Sequence, residues 1–179
     1  GVTKDCKEAV RWYAMAANQG DAYAQINLGI CYKYGDGVEK DYAKAEEQYR
    51  KSLVEDSTYL KAQYNLANAS YKQQNQETLQ TALKYYEGYL KANSFDDTLN
   101  NANATYNRGN VNFQMFNTDT TSETGSNTQF LQLSLEDYKQ TLSLNPNDSA
   151  AKYNLALTQF LLNKYQNQQQ NNQNQQQQQ

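Results

Sequence analysis

Small and apolar residues return along the chain in two alternating phrases. The first is INLG at 26–29, YNLA at 64–67, YNRG at 106–109 and YNLA at 153–156, each opening an amphipathic stretch. The second sets a small residue before an aromatic and another small residue after it: Ala9/Tyr13/Ala16, Ala45/Tyr49/Ser52, Ala82/Tyr86 and Ser134/Tyr138/Thr141. These offsets, i to i+4 and then i+3, put each set on one face of an α-helix. Small residues let two helices approach closely, and the aromatic fills the space beside them. The alternation predicts helix A, turn, helix B, repeated. A single pair cannot bury its apolar face alone, so the pairs must stack. The predicted fold is all-α, an α-solenoid of antiparallel helix pairs with a terminal capping helix.

The stretch YGDGVEKDYAKA, Tyr34 to Ala45, is the predicted corner between one A helix and its B helix. Gly35 and Gly37 supply backbone angles that other residues resist, and Asp41 is placed to cap the helix that follows. A phosphate-cradling loop needs GxxxxGK[ST], and a calcium loop needs alternating acids with Glu at its twelfth place; neither spacing is present. Extra residues fall around Gln74–Thr78, and a long polar connection, Asn117–Thr128, lacks periodicity and reads as a mobile loop. From Ser149 another A-like helix begins, capped by Ser149 or Asp148, with no B helix after it. Residues 166–179 are only Gln and Asn, a tract expected to be disordered when free and able to self-associate through amide ladders.

Composition narrows the chemistry. The 179 residues carry 16 basic and 19 acidic side chains, a net charge of −3, which argues against a nucleic-acid surface. Eight Gly and one Pro suit a helical chain. There is no histidine, so the commonest general base and metal ligand are missing from the sequence. Cys6 and Cys31 lack a CxxC pattern and an activating neighbour, and read as buried free thiols. The acidic pairs Glu46-Glu47, Asp96-Asp97 and Glu136-Asp137 read as solvated helix faces, and Trp12 as a packing residue. No enzyme, cofactor or metal site is expected. No apolar run is long enough to span a membrane. The chain opens Gly1-Val2 with neither Met nor a signal-like segment, so it reads as a fragment or a processed form.

The segment DAYAQINLGICYKYGDGVEKDYAKAEEQYRKSL, Asp21–Leu53, resembles a Sel1-like repeat, and Gly1–Gly20 resembles the second half of the preceding one. From about Thr58 the pattern is closer to tetratricopeptide repeats: KAQYNLANASYKQQN with ALKYYEGYLKAN, then YNRGNVNF with LEDYKQTLSLNPND. This divides the chain into Sel1-like repeats at 1–57 and tetratricopeptide-like repeats at 58–148 with an insertion at 117–128. A capping helix at 149–165 and the Gln/Asn tail at 166–179 follow. The phrases AEEQYRKSL, YNLAN, YNRGN and NPNDSAAKYNLA before a Gln-rich tail also resemble repeat proteins of bacterial aerotolerance (Bat) clusters, which implies a bacterial envelope location.

The resemblance implies a Sel1-like/tetratricopeptide superhelix that binds a protein or peptide partner in a concave groove lined by the A helices. Carried over by position, the groove residues are Lys61, Tyr64, Asn65, Asn68, Tyr71 and Lys72 in one repeat. In the next they are Asn103, Tyr106, Asn107, Asn110, Phe113 and Gln114. Tyr23, Ile26, Asn27, Ile30, Lys33 and Tyr34 come from the Sel1-like pair. Asn27, Asn65, Asn107 and Asn154 form a ladder, open to use either as ligand contacts or as bonds between helices. Lys61 and Asn65 resemble half of a carboxylate clamp, but Asn103 and Asn107 stand where its Lys and Arg belong. The function this points to is a non-catalytic scaffold for protein–protein interaction, with no nucleic-acid partner. The alternative is an assembly protein that self-associates through outer faces and its tail.

Overall fold

A computed structural model describes residues 2–93, 97–118 and 128–176, with side chains between residues 5 and 168. The described residues form eight helices and no strand. These are α1 (Val2–Ala17), α2 (Ala22–Tyr34), α3 (Tyr42–Glu55), α4 (Leu60–Gln73), α5 (Gln76–Ala92), α6 (Thr98–Thr118), α7 (Thr128–Leu144) and α8 (Ser149–Gln176). They fall into two units, residues 1–92 with α1–α5 and residues 93–179 with α6–α8. In the first, α2 pairs with α3 and α4 with α5, while α1 packs on α2 and α3 on α4. In the second, α6 pairs with α7, and α7 packs on α8. Each unit is an all-α stack of antiparallel helices, the helical-repeat solenoid that the two phrases predict.

The phrases meet where the helices touch. On α2, a Cβ built on Gly29 would lie 2.6 Å from Cε1 of Tyr49 on α3. On α6, a Cβ on Gly109 would lie 2.9 Å from Cε1 of Tyr138 on α7. The small residue of an A helix therefore exists to admit the aromatic of its B helix, and Ala67 on α4 takes the same place. Tyr49, Tyr86 and Tyr138 are all buried, as are Ala45, Ala82 and Ser134 one turn before them. Around Tyr49 the core gathers Ile26, Ala45, Ala62, Leu66 and Ala69 from three helices. A second cluster joins Ala17, Ala24 and Leu28, with Val10 and Tyr13 of α1 against it.

The corner after α2 is built as its sequence demands. Gly35 closes α2 in the left-handed region, its N–H donating to the Cys31 carbonyl. Gly37, at φ +74°, comes so close to the α1 backbone that a Cβ would stand 2.5 Å from the Cys6 carbonyl carbon. A side chain there would both strain the turn and push α1 away. Asp41 then caps α3, accepting from the Lys44 N–H at 2.9 Å, and this bond holds its carboxyl below the usual range. At α8 the cap is Asp148, accepting from the Ala151 N–H at 2.9 Å. In the Gln74–Thr78 region, Gln74 ends α4 at φ 56°, and Asn75 caps α5 by accepting from the Thr78 N–H at 3.0 Å. Cys6 and Cys31 are free thiols, and burial pushes the Cys31 thiol up, with Asp36 adding to it.

Three places differ from the sequence-based expectation or go past it. Trp12, read as a packing residue, is mostly exposed among the described residues. The expected loop at 117–128 lies outside the described residues except at its ends, where α6 runs to Thr118 and α7 begins at Thr128. The helical backbone of α8 continues to Gln176, well into the Gln/Asn tract. No Gly or Pro follows Pro146 to interrupt it, and Gln is a fair helix former.

Two substitutions test this account of the fold. Gly29→Ala should cost about 1–3 kcal/mol, the usual penalty for forcing a methyl into a filled contact. Asp41→Ala should cost about 1 kcal/mol through the lost cap. Urea unfolding followed by circular dichroism reads both.

Candidate peptide-binding surface

The residues read as groove positions lie on the A helices of the two units. In the first unit α2 and α4 touch directly, and Lys33 Nζ of α2 donates to Asn65 Oδ1 of α4 at 3.2 Å. Asn65 is thus buried and bonded, while Lys33 lies 4.9 Å from the ring centroid of the exposed Tyr34. Tyr64 turns toward α5, its ring 6.1 Å from Tyr86 and 5.2 Å from Tyr89. Asn68 accepts from the Tyr86 hydroxyl at 2.7 Å and donates to the Tyr64 carbonyl at 2.9 Å. Tyr71 is half-buried, with Lys72 Nζ 5.7 Å from its ring centroid. Lys61, Lys72 and Tyr23 stand exposed; Ile26 is buried in the core, and Asn27 and Ile30 are half-buried.

The second unit repeats the arrangement. Tyr106 lies 5.8 Å from Tyr138, centroid to centroid, and Asn110 accepts from the Tyr138 hydroxyl at 2.8 Å. From α8, Asn154 donates to Asn110 Oδ1 at 3.0 Å and to the Tyr106 hydroxyl at 3.2 Å. Asn107, Phe113 and Gln114 are half-buried, and Asn103 is exposed. So Asn65 and Asn154 of the asparagine ladder each bond to a neighbouring helix.

Lining up the repeats explains one buried group that has no partner. Ile30 stands on α2 where Asn68 and Asn110 stand on α4 and α6. The hydroxyl of Tyr49, which an asparagine there would receive, is buried without a hydrogen bond among the described residues. Burial pushes this phenol up, and the nearby Tyr34 and Cys31 add to the shift. Comparison of Ile30 with Asn68 and Asn110 was the available signal for it.

A family model described as the Sel1 repeat matches residues 1–21, 22–52 and 60–87, the last within the stretch read above as tetratricopeptide-like. The backbone is similar to that of a crystal structure of MamA protein, with a TM-score of 0.68, at 21% identity over 93% of this chain and 78% of that one. It is also similar to the first TPR of Spaghetti (RPAP3) bound to HSP90 peptide SRMEEVD, with a TM-score of 0.59, at 20% identity over 79% of this chain and 92% of that one. Sel1 repeats thus account for most of residues 1–87, and the helical-repeat solenoid fold is shared with these tetratricopeptide structures. Over 50 residues it is 40% identical to DAP3-binding cell death enhancer 1 of Rattus norvegicus, which is 28% of this chain. The chain spans about 10% of the length of that curated relative. Sel1-like and tetratricopeptide repeats fit a protein-interaction scaffold and are generally non-catalytic.

Two polar clusters join neighbouring helices, and they correct the reading of the acidic pairs as solvated faces for Glu46 and Asp137, whereas Glu47 and Glu136 are exposed as expected. Glu46 on α3 accepts from Ser70 at 2.9 Å and Gln73 at 2.6 Å, both on α4, through one oxygen. Its other oxygen accepts from Arg50 at 2.6 Å, and Arg50 reaches Thr81 of α5 at 3.5 Å. Asp137 on α7 is buried and held on two edges by Arg108 of α6, with Asn112 donating at 3.0 Å. Burial pushes the Asp137 carboxyl up, against the pull of Arg108 and Asn112. Asp137 can be buried and Glu46 half-buried because donors on the neighbouring helix compensate them, which neighbours in sequence do not reveal. Among the described residues, no helix is long and apolar enough to cross a membrane.

Three measurements follow from these contacts. Tyr86→Phe and Tyr138→Phe should each cost about 1 kcal/mol, one net hydrogen bond, whereas Tyr49→Phe should be neutral or stabilising. Asp137→Ala should cost about 3 kcal/mol, the lower end for breaking a buried pair because Arg108 keeps some contact with water. For pH, the folded Asp137 carboxyl titrates above its unfolded value. Its protonated form gives stability present below the unfolded pKa and lost as pH rises through the folded one. Wild type should therefore lose stability relative to Asp137→Asn as pH rises through the carboxylate range, and by a constant amount above it.

Proposed function

We infer that this chain is a non-catalytic scaffold that holds an extended segment of a partner protein along its A-helix faces. The observation that carries this reading is the α2–α4 face, where the Lys33–Asn65 bond joins two A helices side by side. Around it Tyr34, Lys61 and Lys72 remain exposed. Tyrosine gives contact area at low entropic cost, and lysine ammonium groups donate to backbone carbonyls or to carboxylates of a peptide. Each such bond is worth about 0.5–1.5 kcal/mol net, so affinity accumulates over several contacts. The likeness in fold to a tetratricopeptide domain bound to an HSP90 peptide supports the mode of binding and leaves the partner open.

The test is peptide selection. A peptide that the wild-type chain retains from a random library is titrated by fluorescence anisotropy against Tyr34→Ala/Lys61→Ala/Lys72→Ala. All three positions are exposed, so circular dichroism should be unchanged. The reading expects a loss of about tenfold or more in affinity, equivalent to about 1.4 kcal/mol. Equal binding by the folded triple variant would place the partner elsewhere and sink it.

A further inference from the structure

The last turns of two B helices come together in the first unit. α1 ends at Ala17 and α3 at Glu55, and a cavity of about 350 Å³ is lined by both ends, by α2 and by the turn at Gly20. These residues come from three consecutive helices, and none from an end of the chain. Neither α1 nor α3 has a basic residue in its last turn, whereas α2, α4 and α5 carry Lys33, Lys72 and Lys91 there. The partial negative charge at the two helix ends is therefore not offset from within. Glu55 adds to it: a Cβ built on Gly20 would lie 3.9 Å from its Oε1, so the carboxylate leans over the turn after α1. Among the described residues Glu55 has no ion pair, because the Lys51 ammonium is drawn to Glu47 at 2.7 Å.

Gln25 of α2, only 3% exposed, lines the same cavity. Its Nε2 donates to the Ala17 carbonyl at 3.3 Å, which fixes the amide against the end of α1. Its Oε1 is buried with no hydrogen bond among the described residues, an acceptor that is costly to leave without a donor. Gln63 holds the equivalent place on α4 and donates to the Ser57 carbonyl at 2.8 Å, so the anchoring half of the arrangement repeats. The open half does not. On α5 a Cβ built on Gly88 would lie 3.4 Å from Gln63 Oε1, and that helix closes over the amide. Lys51 stands on α3 in the place of Gly88, and the cavity beside Gln25 stays open.

We propose that this cavity binds the side chain of a lysine or arginine presented by a partner protein. The ammonium or guanidinium donates to Gln25 Oε1 and pairs with Glu55, at the negative ends of α1 and α3. Its methylene stem lies along Val54, which lines the cavity and is 83% exposed. An anion would meet like charge here, and an apolar side chain would leave the Gln25 acceptor unsatisfied. The site is separate from the A-helix face and does not rest on the function proposed for that face.

Nuclear magnetic resonance on the full 179-residue chain tests this, with Nα-acetyl-lysine amide and Nα-acetyl-arginine amide as probes. Nα-acetyl-norleucine amide is the control, having the stem without the charge, and putrescine stands for a free polyamine. One or both cationic probes should shift the Gln25 side-chain amide and the Gly20 N–H saturably, and the norleucine probe should not. Glu55→Gln, at an exposed position that keeps the fold, should weaken this binding about fivefold or more. Lys51→Met removes the cation lining the cavity and should leave binding equal or tighter. The variant Tyr34→Ala/Lys61→Ala/Lys72→Ala should bind the probes as wild type does, which separates this site from the A-helix face. The proposal is overturned if neither cationic probe shifts these signals, if norleucine amide binds equally, or if Glu55→Gln changes nothing. Loss of binding in Lys51→Met would assign the cavity to an anion, and tighter binding of putrescine than of either blocked amino acid would assign it to free polyamines; either result also overturns it.

Discussion

Everything in these units depends on how closely an A helix can approach its B helix. At Gly29 and Gly109 the approach is so tight that a methyl group would enter a tyrosine ring. That contact sets the spacing of the pair, and the pair then decides which other residues are covered. It also explains why the aromatic is a tyrosine. Its ring fills the close contact, while its hydroxyl extends past the small residue to meet a polar group farther along the A helix. Tyr86 finds Asn68 there and Tyr138 finds Asn110.

The packing and the proposed recognition face therefore share residues. Asn68, Asn110 and Asn154 bring amides to the A-helix face, yet each of them bonds to the scaffold. What the face offers to a visitor is mainly the outer ring of tyrosines and lysines, whose positions are fixed by the bonded layer beneath. A surface of this kind is stiff where it is buried and adaptable where it is wet, which suits recognition that accumulates over many weak contacts.

Much of the architecture was legible because it is encoded locally. The two phrases define faces by spacing alone, the glycines of the corner are forced by backbone angles, and Asp41 is a cap by its place before α3. The acids Glu46 and Asp137 were misread because their donors, Ser70, Gln73, Arg108 and Asn112, lie on other helices and become neighbours only after folding. Trp12 was misread for the converse reason: its phrase promises a partner helix that the described structure does not place beside it. Of the surface positions, the phrases located the helix face but not which amides are engaged. Lys33 and Asn65 belong to different repeats, and nothing in either repeat alone records their bond.

Repeat stacks ordinarily come apart piecemeal, since each repeat touches only its neighbours and the energy is a sum of repeat and interface terms. Glu46 changes that balance locally. One carboxylate satisfies donors on α4 and also orients the Arg50 that reaches α5, so α3 cannot leave without orphaning groups on the next pair. The interface term between these two pairs is thereby raised relative to their intrinsic terms. Partly unfolded states in which α3 has left while α4 stays folded are correspondingly disfavoured, so α3 and α4 are expected to open together and not one at a time.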